Sequence, residues 1–506
     1  MSDKTLGTAC DTICAVAPLA QGIERLPPEQ KVAGSNPVGG TICFFITCYT
    51  IQKQKNTCGK ALRVPSPPEI HIESLAYQGA GVGHLPDGRV LFVDGTAPGD
   101  CVRVEIVENH ERFARARVSE LIVSSPQRID PFCPYHASCG GCPWQQVAYD
   151  EQCVWKHRIV LESLRRIGAV SNPEAFVEKT AKAGKHWWYR NKVEFGVQLI
   201  ERNARLGFQA RRGAGFVPVD SCRLLPYSFL DASRRIAGAL TYACRELLPD
   251  LHRVTLRVSE QTNDVELSLW TNPCLLSRSH VARVLNEAVR TTSMTRVIVD
   301  GAPDERKVKQ VEVLTGRGFW REMFDGRCLK FSAPSFFQVN SAEAVTLLET
   351  VLEFLDLARI QTLDHVVDLY AGAGTFTLPL AARYRQVSAV ESYGPCIKDL
   401  RRNLEGHNLK ARIVGGDVAR ELAGLGSFQA AVIDPPRAGL SSKACAALIG
   451  ARPRCIVYVS CDPATLARDI RVFTNGGYHL KTIRPIDLFP QTFHVESVAL
   501  LLNEKS

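Results

Sequence analysis

Two short segments near the C-terminal end combine residue types that could do covalent chemistry. Ile456-Val457-Tyr458-Val459-Ser460-Cys461-Asp462-Pro463 runs an apolar strand into a cysteine, and Pro485-Ile486-Asp487-Leu488-Phe489-Pro490-Gln491-Thr492-Phe493-His494-Val495-Glu496 brings a histidine and a carboxylate after a proline turn. A thiolate and a later carboxylate meet a specific need, methylation of a uracil ring at C5. That carbon is a poor nucleophile, so a thiolate must first add at C6 to build an enolate. A base must then remove the C5 proton so that the sulfur can leave. On this reading Cys461 is the nucleophile and Glu496 the base, with His494 competing for the second role. Most cysteines are inert buried thiols; the Ser-Cys-Asp-Pro turn after a buried strand sets Cys461 apart.

A methyl donor has a place upstream. Val366-Val367-Asp368-Leu369-Tyr370-Ala371-Gly372-Ala373-Gly374-Thr375-Phe376 reads as a buried strand entering a Gly-x-Gly turn and a helix, where glycine lets a cofactor approach the backbone. Glu391 follows Gly374 by 17 residues, the spacing of an acid that holds ribose hydroxyls. Both features suit a nicotinamide cofactor as well as S-adenosylmethionine. Ala431-Val432-Ile433-Asp434-Pro435-Pro436-Arg437 decides between them, because an acid and a Pro-Pro turn at a strand's carboxyl end suit methyltransferases that act on planar nitrogenous rings.

A third set is Cys133, Cys139 and Cys142, spaced C-x5-C-x2-C on a loop rich in glycine and proline. Such a loop lets several thiolates converge on one inorganic centre. The fourth ligand is expected at Cys222, on a similar polar turn; Cys153 is nearer in sequence but falls in an apparent helix. Four thiolates hold either zinc or a [4Fe–4S] cluster, and the spacing leaves both open, along with a loop that holds no metal.

These segments need scaffolds, and 506 residues predict about three or four domains. From residue 331 to 506, apolar strands alternate with helices, as in a doubly wound parallel sheet. Residues 129–330 read as an α+β domain that begins with a basic helix around Trp155 to Ile167. Residues 66–128 alternate apolar and polar positions in short runs broken by Gly79-Ala80-Gly81-Val82-Gly83 and Ala97-Pro98-Gly99-Asp100, the pattern of a small β-barrel. Residues 1–65 show no periodicity and are expected to be disordered or a mis-assigned extension. Val32 to Pro37 back-translates naturally to the T-arm of a tRNA gene, which implies a true start further on, near Val64.

Composition narrows the class. The chain is 45% hydrophobic, its longest apolar run, Thr41–Ile51, is far short of the ~20 residues that span a bilayer, and no export signal precedes its 18 cysteines. A cytoplasmic protein with no membrane partner and no obligate protein partner is expected. The net charge of +9 is concentrated in residues 151–225, with 14 basic and 7 acidic side chains, as suits a polyanion. Within it Trp187, Trp188, Tyr189, Arg190 and Lys192 could serve single-stranded RNA as a stacking platform or could simply be core.

Taken in order, these motifs resemble the RNA 5-methyluridine methyltransferases over residues 69–504. The resemblance implies an N-terminal TRAM barrel, an OB-like RNA-binding fold, an α+β central domain with an iron-sulfur loop, and a Rossmann-like S-adenosylmethionine-dependent methyltransferase domain. It implies a [4Fe–4S] cluster on Cys133, Cys139, Cys142 and Cys222. It also implies S-adenosylmethionine contacts from Gln338 of Phe337-Gln338-Val339-Asn340, Tyr370, Thr375, Glu391, Asp417 and Asp434, and it places nucleophile and base on Cys461 and Glu496. Cluster plus barrel resembles the type that modifies 23S rRNA more than the tRNA type, so 23S rRNA is the expected substrate and tRNA the alternative. A base amino-methyltransferase, which needs no nucleophile, and a non-catalytic RNA-binding protein are the rival readings.

Overall fold

The computed structural model describes residues 68–213, 215–300 and 307–503. The expectation for residues 1–65 lies outside them.

Strands β1 to β6 (Glu69–His71, Ser74–Leu75, Gly81–His84, Val90–Asp94, Cys101–Asn109 and Phe113–Val123) form one sheet in the order β1-β5-β6-β4-β3-β2. The period-2 pattern sets their faces. In Val90–Asp94, Leu91 and Val93 are buried and join Val102, Val104, Ala114 and Ala116 in one core, while Phe92 is only half-buried on the other face. The Ala-Pro-Gly-Asp turn is held by Asp100, which accepts from the Ala97 N–H at 2.6 Å and pairs with Arg128.

After the cysteine loop comes α1 (Tyr149–Arg166), which starts earlier than the sequence pattern suggests; Asp150 and Glu151 suit the positive end of its dipole. Its Val160, Leu161 and Leu164 pack into the core of the C-terminal domain. Residues beyond it are stitched to that domain too, with the Glu178 and Ala181 N–H groups donating to Ile483 and Pro485 carbonyls at 2.8 Å.

Strands β7 to β13 (Lys192–Ile200, Asn203–Gln209, Phe216–Pro218, Leu251–Ser259, Asp264–Thr271, Ser293–Asp300 and Lys307–Gly316) build the central sheet, ordered β13-β12-β11-β10-β7-β8-β9. Helices α2 (Ala232–Ala243) and α3 (Arg278–Ala288) share its core. A hairpin of β14 (Trp320–Phe324) and β15 (Arg327–Phe331) then contributes Trp320, Phe324 and Phe331 to the core of the last domain, against Phe337.

That domain follows α4 (Ser341–Leu357) with β16 (His365–Leu369), α5 (Thr377–Arg383), β17 (Gln386–Glu391), α6 (Gly394–Gly406), β18 (Arg412–Gly415) and α7 (Val418–Glu421). It continues through β19 (Ala430–Ile433), α8 (Ser442–Ala451), β20 (Cys455–Ser460), α9 (Pro463–Asn475), β21 (Tyr478–Ile486) and β22 (Glu496–Asn503). The sheet runs β18-β17-β16-β19-β20-β22-β21. Its strands are covered on both faces, so they read as unbroken apolar runs: Val366 lies in one core and Val367 in the other. Among the described residues no helix is long and apolar enough to cross a membrane.

Candidate active site

Renumbered within the sheet, the strand order is 3-2-1-4-5-7-6, which differs from a dinucleotide-binding sheet by a last strand wedged in antiparallel. An antiparallel strand starts where its parallel neighbours end. Ser460 pairs with Ser497, so Cys461, one step beyond β20, and Glu496, the first residue of β22, meet across the ladder. Asp434 stands one step beyond β19, on the next strand over.

Each of these groups burdens the next. Burial, then Asp368, pushes the Asp434 carboxyl up to about 7. Burial, then Asp434, pushes Glu496 up to about 8, and burial, then Glu496 and Asp434, pushes the Cys461 thiol up to about 12. Arg437 opposes the trend, lowering both Glu496 and Cys461. Without a further cation the site therefore favours its protonated, neutral forms.

His494 is a different kind of neighbour. Burial, then Arg437, pushes its imidazole down to about 3, and its ring packs 4.2 Å from Phe493 and 5.8 Å from Phe489. A ring so reluctant to take a proton is suited to packing rather than to proton removal.

The Gly-x-Gly turn closes over the ends of β16 and β17. Tyr370 sits in the left-handed region (φ 66°), and its N–H and that of Ala371 both donate to the Val390 carbonyl. A Cβ on Gly374 (φ 103°) would lie 2.4 Å from Leu378 and 2.8 Å from Leu400, so only glycine lets this turn press on its helices. One Glu391 oxygen accepts from the Gly372 N–H (2.9 Å) and the other from the Tyr393 N–H (2.7 Å), which fixes the carboxylate at the lip of the turn. Thr375 is half-buried in the turn and Asp417 exposed at the start of α7. Gln338 is buried, its carbonyl bound by Asn191 at 2.8 Å.

Asp368 escaped the sequence reading. It is fully buried, accepts from Thr377 at 2.5 Å through one oxygen, leaves the other without a protein partner, and is pushed up to about 7 by burial and then Glu391. A lone acid inside Val-Val-Asp-Leu was the available signal.

The four cysteines come together around one cavity of about 100 Å³, also lined by Arg190. The loop docks on the central sheet through the Gly140 N–H to Gln209 carbonyl bond, while the Asp220 N–H donates to the Tyr135 hydroxyl beside Cys222. Burial raises the Cys142, Cys222 and Cys139 thiols, and neighbouring cysteine sulfurs add to each shift. Among the described residues no three metal-capable side chains converge as one ion requires. Zinc at ~2.3 Å from each sulfur needs thiolates within about 4 Å of one another.

A cleft of about 790 Å³ opens beside Asp462 and His494, the neighbours of the Cys461 and Glu496 segments, with Phe92 and Arg115 of the barrel, Arg211 and Arg212 of the central domain, and Arg437 and Phe493 of the catalytic loops in its walls. The Arg115 guanidinium lies 5.3 Å from the centre of the Phe92 ring. The aromatic run at 187–192 divides: Tyr189 is buried and donates to the Pro490 carbonyl, and Lys192 pairs with Glu194 at 2.8 Å. Trp187 and Trp188 instead meet Phe132, which is exposed.

Comparison with known proteins matches this layout. Residues 68–119 fit the TRAM domain, and residues 321–416 and 417–505 fit the tRNA (Uracil-5-)-methyltransferase family. An RNA methyltransferase of Gloeobacter violaceus is 34% identical over 449 residues, 85% of this chain and 95% of the relative. One from Halalkalibacterium halodurans is 31% identical, covering 86% and 96%. Among solved structures, the Pyrococcus abyssi tRNA (uracil-54, C5)-methyltransferase in complex with S-adenosyl-L-homocysteine superposes with a TM-score of 0.67 at 26% identity, over 86% of this chain and 99% of that one. The chain thus belongs to the RNA 5-methyluridine methyltransferases, enzymes that depend on S-adenosylmethionine.

Proposed function

We propose that the chain methylates C5 of a uridine in 23S rRNA through a covalent adduct at Cys461. The observation that carries the chemistry is the meeting of Cys461 and Glu496 across β20 and β22. The Cys461 thiolate adds to C6 of the uracil, and the C5–C6 electron pair moves into an enolate. S-adenosylmethionine, which Gln338, Tyr370, Thr375, Glu391, Asp417 and Asp434 would hold, would supply a positive charge that favours ionised neighbours and the methyl group that C5 takes, the broken C–S bond leaving its electron pair on the sulfur of S-adenosylhomocysteine. Glu496 then removes the C5 proton, the C5=C6 bond re-forms, and the C6–S bond breaks to return the thiolate. The target base must leave its stack to reach the sulfur, and the arginine-lined cleft is the route by which it does so.

Cys133, Cys139, Cys142 and Cys222 hold a [4Fe–4S] cluster that orders the loops on the RNA side of the site. Anaerobically purified protein is expected to carry about four irons per chain, by analogy with four-cysteine cluster sites, and Cys222→Ser to lose most of them; zinc in their place would overturn the assignment.

Barrel and cysteine loop together resemble the 23S rRNA type. A specific observation favours tRNA as a second reading: the Pyrococcus abyssi enzyme named for a tRNA uracil matches over 86% of this chain. The test is to incubate the protein and S-adenosylmethionine with unmodified 23S rRNA and, separately, unmodified tRNA, and to quantify 5-methyluridine in nucleoside digests by mass spectrometry. Product in rRNA alone is expected. Product in tRNA alone overturns the substrate, and product in neither overturns the activity.

A further inference from the structure

Glu496 reaches the site on a strap, residues 487–495, that has no regular structure of its own and is held from outside the C-terminal domain. Gln152, on α1 and fully buried, grips its middle at both ends of one residue. The Gln152 side-chain carbonyl accepts from the Gln491 N–H at 2.9 Å, and its amide donates to the Gln491 side-chain oxygen at 3.0 Å and to the Trp144 and Val147 carbonyls at 3.1 and 2.9 Å. The Trp144 N–H closes the knot by donating to the Gln491 carbonyl at 3.0 Å. Gln491 itself sits at φ 72°, a conformation a non-glycine residue keeps only when its surroundings impose it. One turn further along α1, Lys156 is fully buried; its ammonium donates to Asp487 at 2.5 Å and to the Phe489 carbonyl at 3.0 Å.

We propose that Gln152 is a positioning residue for proton removal: by dictating the conformation of Gln491 it sets where the strap delivers Glu496 opposite Cys461. This inference rests on Glu496 being the base. Lys156 fixes the start of the strap, and Gln152 its path. The same amide joins the strap to Trp144, two residues beyond Cys142, so the cysteine loop and the strap that leads to Glu496 share one hydrogen-bonded knot.

A misplaced base leaves the first half of the reaction intact. Sulfur addition and methyl capture need only Cys461 and the bound donor, whereas release needs the C5 proton taken. Gln152→Ala is therefore expected to lower turnover about 10-fold or more while a denaturant-stable protein–RNA band accumulates on mixing with S-adenosylmethionine and substrate RNA. S-adenosylhomocysteine affinity, read by calorimetry, should stay within about 2-fold and reports that the variant is folded. Should that affinity be lost, Gln491→Ala, which removes the other half of the grip, decides by the same band. Wild-type turnover, or reduced turnover with no band, overturns the inference. Glu496→Gln run in parallel separates the two levels: a band there but not with Gln152→Ala sinks the positioning role alone, and no band with Glu496→Gln sinks the role of the base beneath it.

Discussion

Cys461→Ala is expected to abolish 5-methyluridine formation, lowering the rate by at least ~10³-fold, by analogy with the removal of other covalent nucleophiles. Among the described residues no other thiol is placed to substitute. Cys455 and Cys445 are buried in the core, and Cys396 is buried on α6. The variant keeps the cofactor turn, whose hydrogen bonds run through Tyr370, Ala371, Gly372 and Glu391, so S-adenosylhomocysteine should still bind. Methyl transfer from labelled donor into RNA measures the loss. A complementary reading uses RNA carrying 5-fluorouridine, in which fluorine replaces the proton that must leave: the wild type should stay covalently attached, and the alanine variant should form no adduct. Activity retained in the alanine variant would mean methylation of a ring nitrogen or amino group, which needs no thiolate.

Glu496→Gln separates the two halves of the reaction. The replacement has nearly the same shape, in a site where the wild-type side chain is 3% exposed, and it cannot accept a proton. A general base contributes ~10²–10⁴-fold, and product release should fall by that amount. Addition should not suffer, because Glu496 is the largest charged contributor raising the Cys461 thiol, and glutamine removes it. The protein–RNA adduct is thus expected to accumulate. The pH dependence follows from the same group: with its carboxyl raised to about 8, the fraction able to take a proton grows with pH up to that point. Release by the wild type should rise and then level off above about pH 8, while the glutamine variant should lack that rise. Unchanged turnover in the variant would remove Glu496 from the mechanism.

Much of this site is visible in the sequence because its residues sit at strand ends, and strand ends are marked by where apolar runs stop. Cys461 and Asp434 each stand one residue beyond such a run, and Glu391 ends one. The barrel strands are legible for a similar reason, since alternation survives wherever one face is wet. What the sequence hides are the partners that tertiary structure alone supplies. Gln152 and Gln491 are 339 residues apart, as local periodicity cannot register. Lys156 reads as part of a basic patch, yet it is buried against Asp487 and offers nothing to a polyanion. Tyr77 looks like one more turn residue of the barrel, but its hydroxyl donates to Asp462 at 2.7 Å and its ring meets Phe493 edge-on, so the barrel forms a wall of the catalytic site.

The wedged position of β22 also ties the base to the completion of the sheet. Ribosomes release a chain from its N-terminus, and domains fold as their segments emerge. The nucleophile, the cofactor turn and β21 all leave the ribosome before Glu496 does. β22 lies between β20 and β21 and is hydrogen-bonded to both. Joining distant segments is slow to nucleate, and this closure must also bring the strap under Gln152. Completion of the sheet and placement of the base therefore depend on one strand, and a chain in which β22 has not docked would hold the thiol without its base.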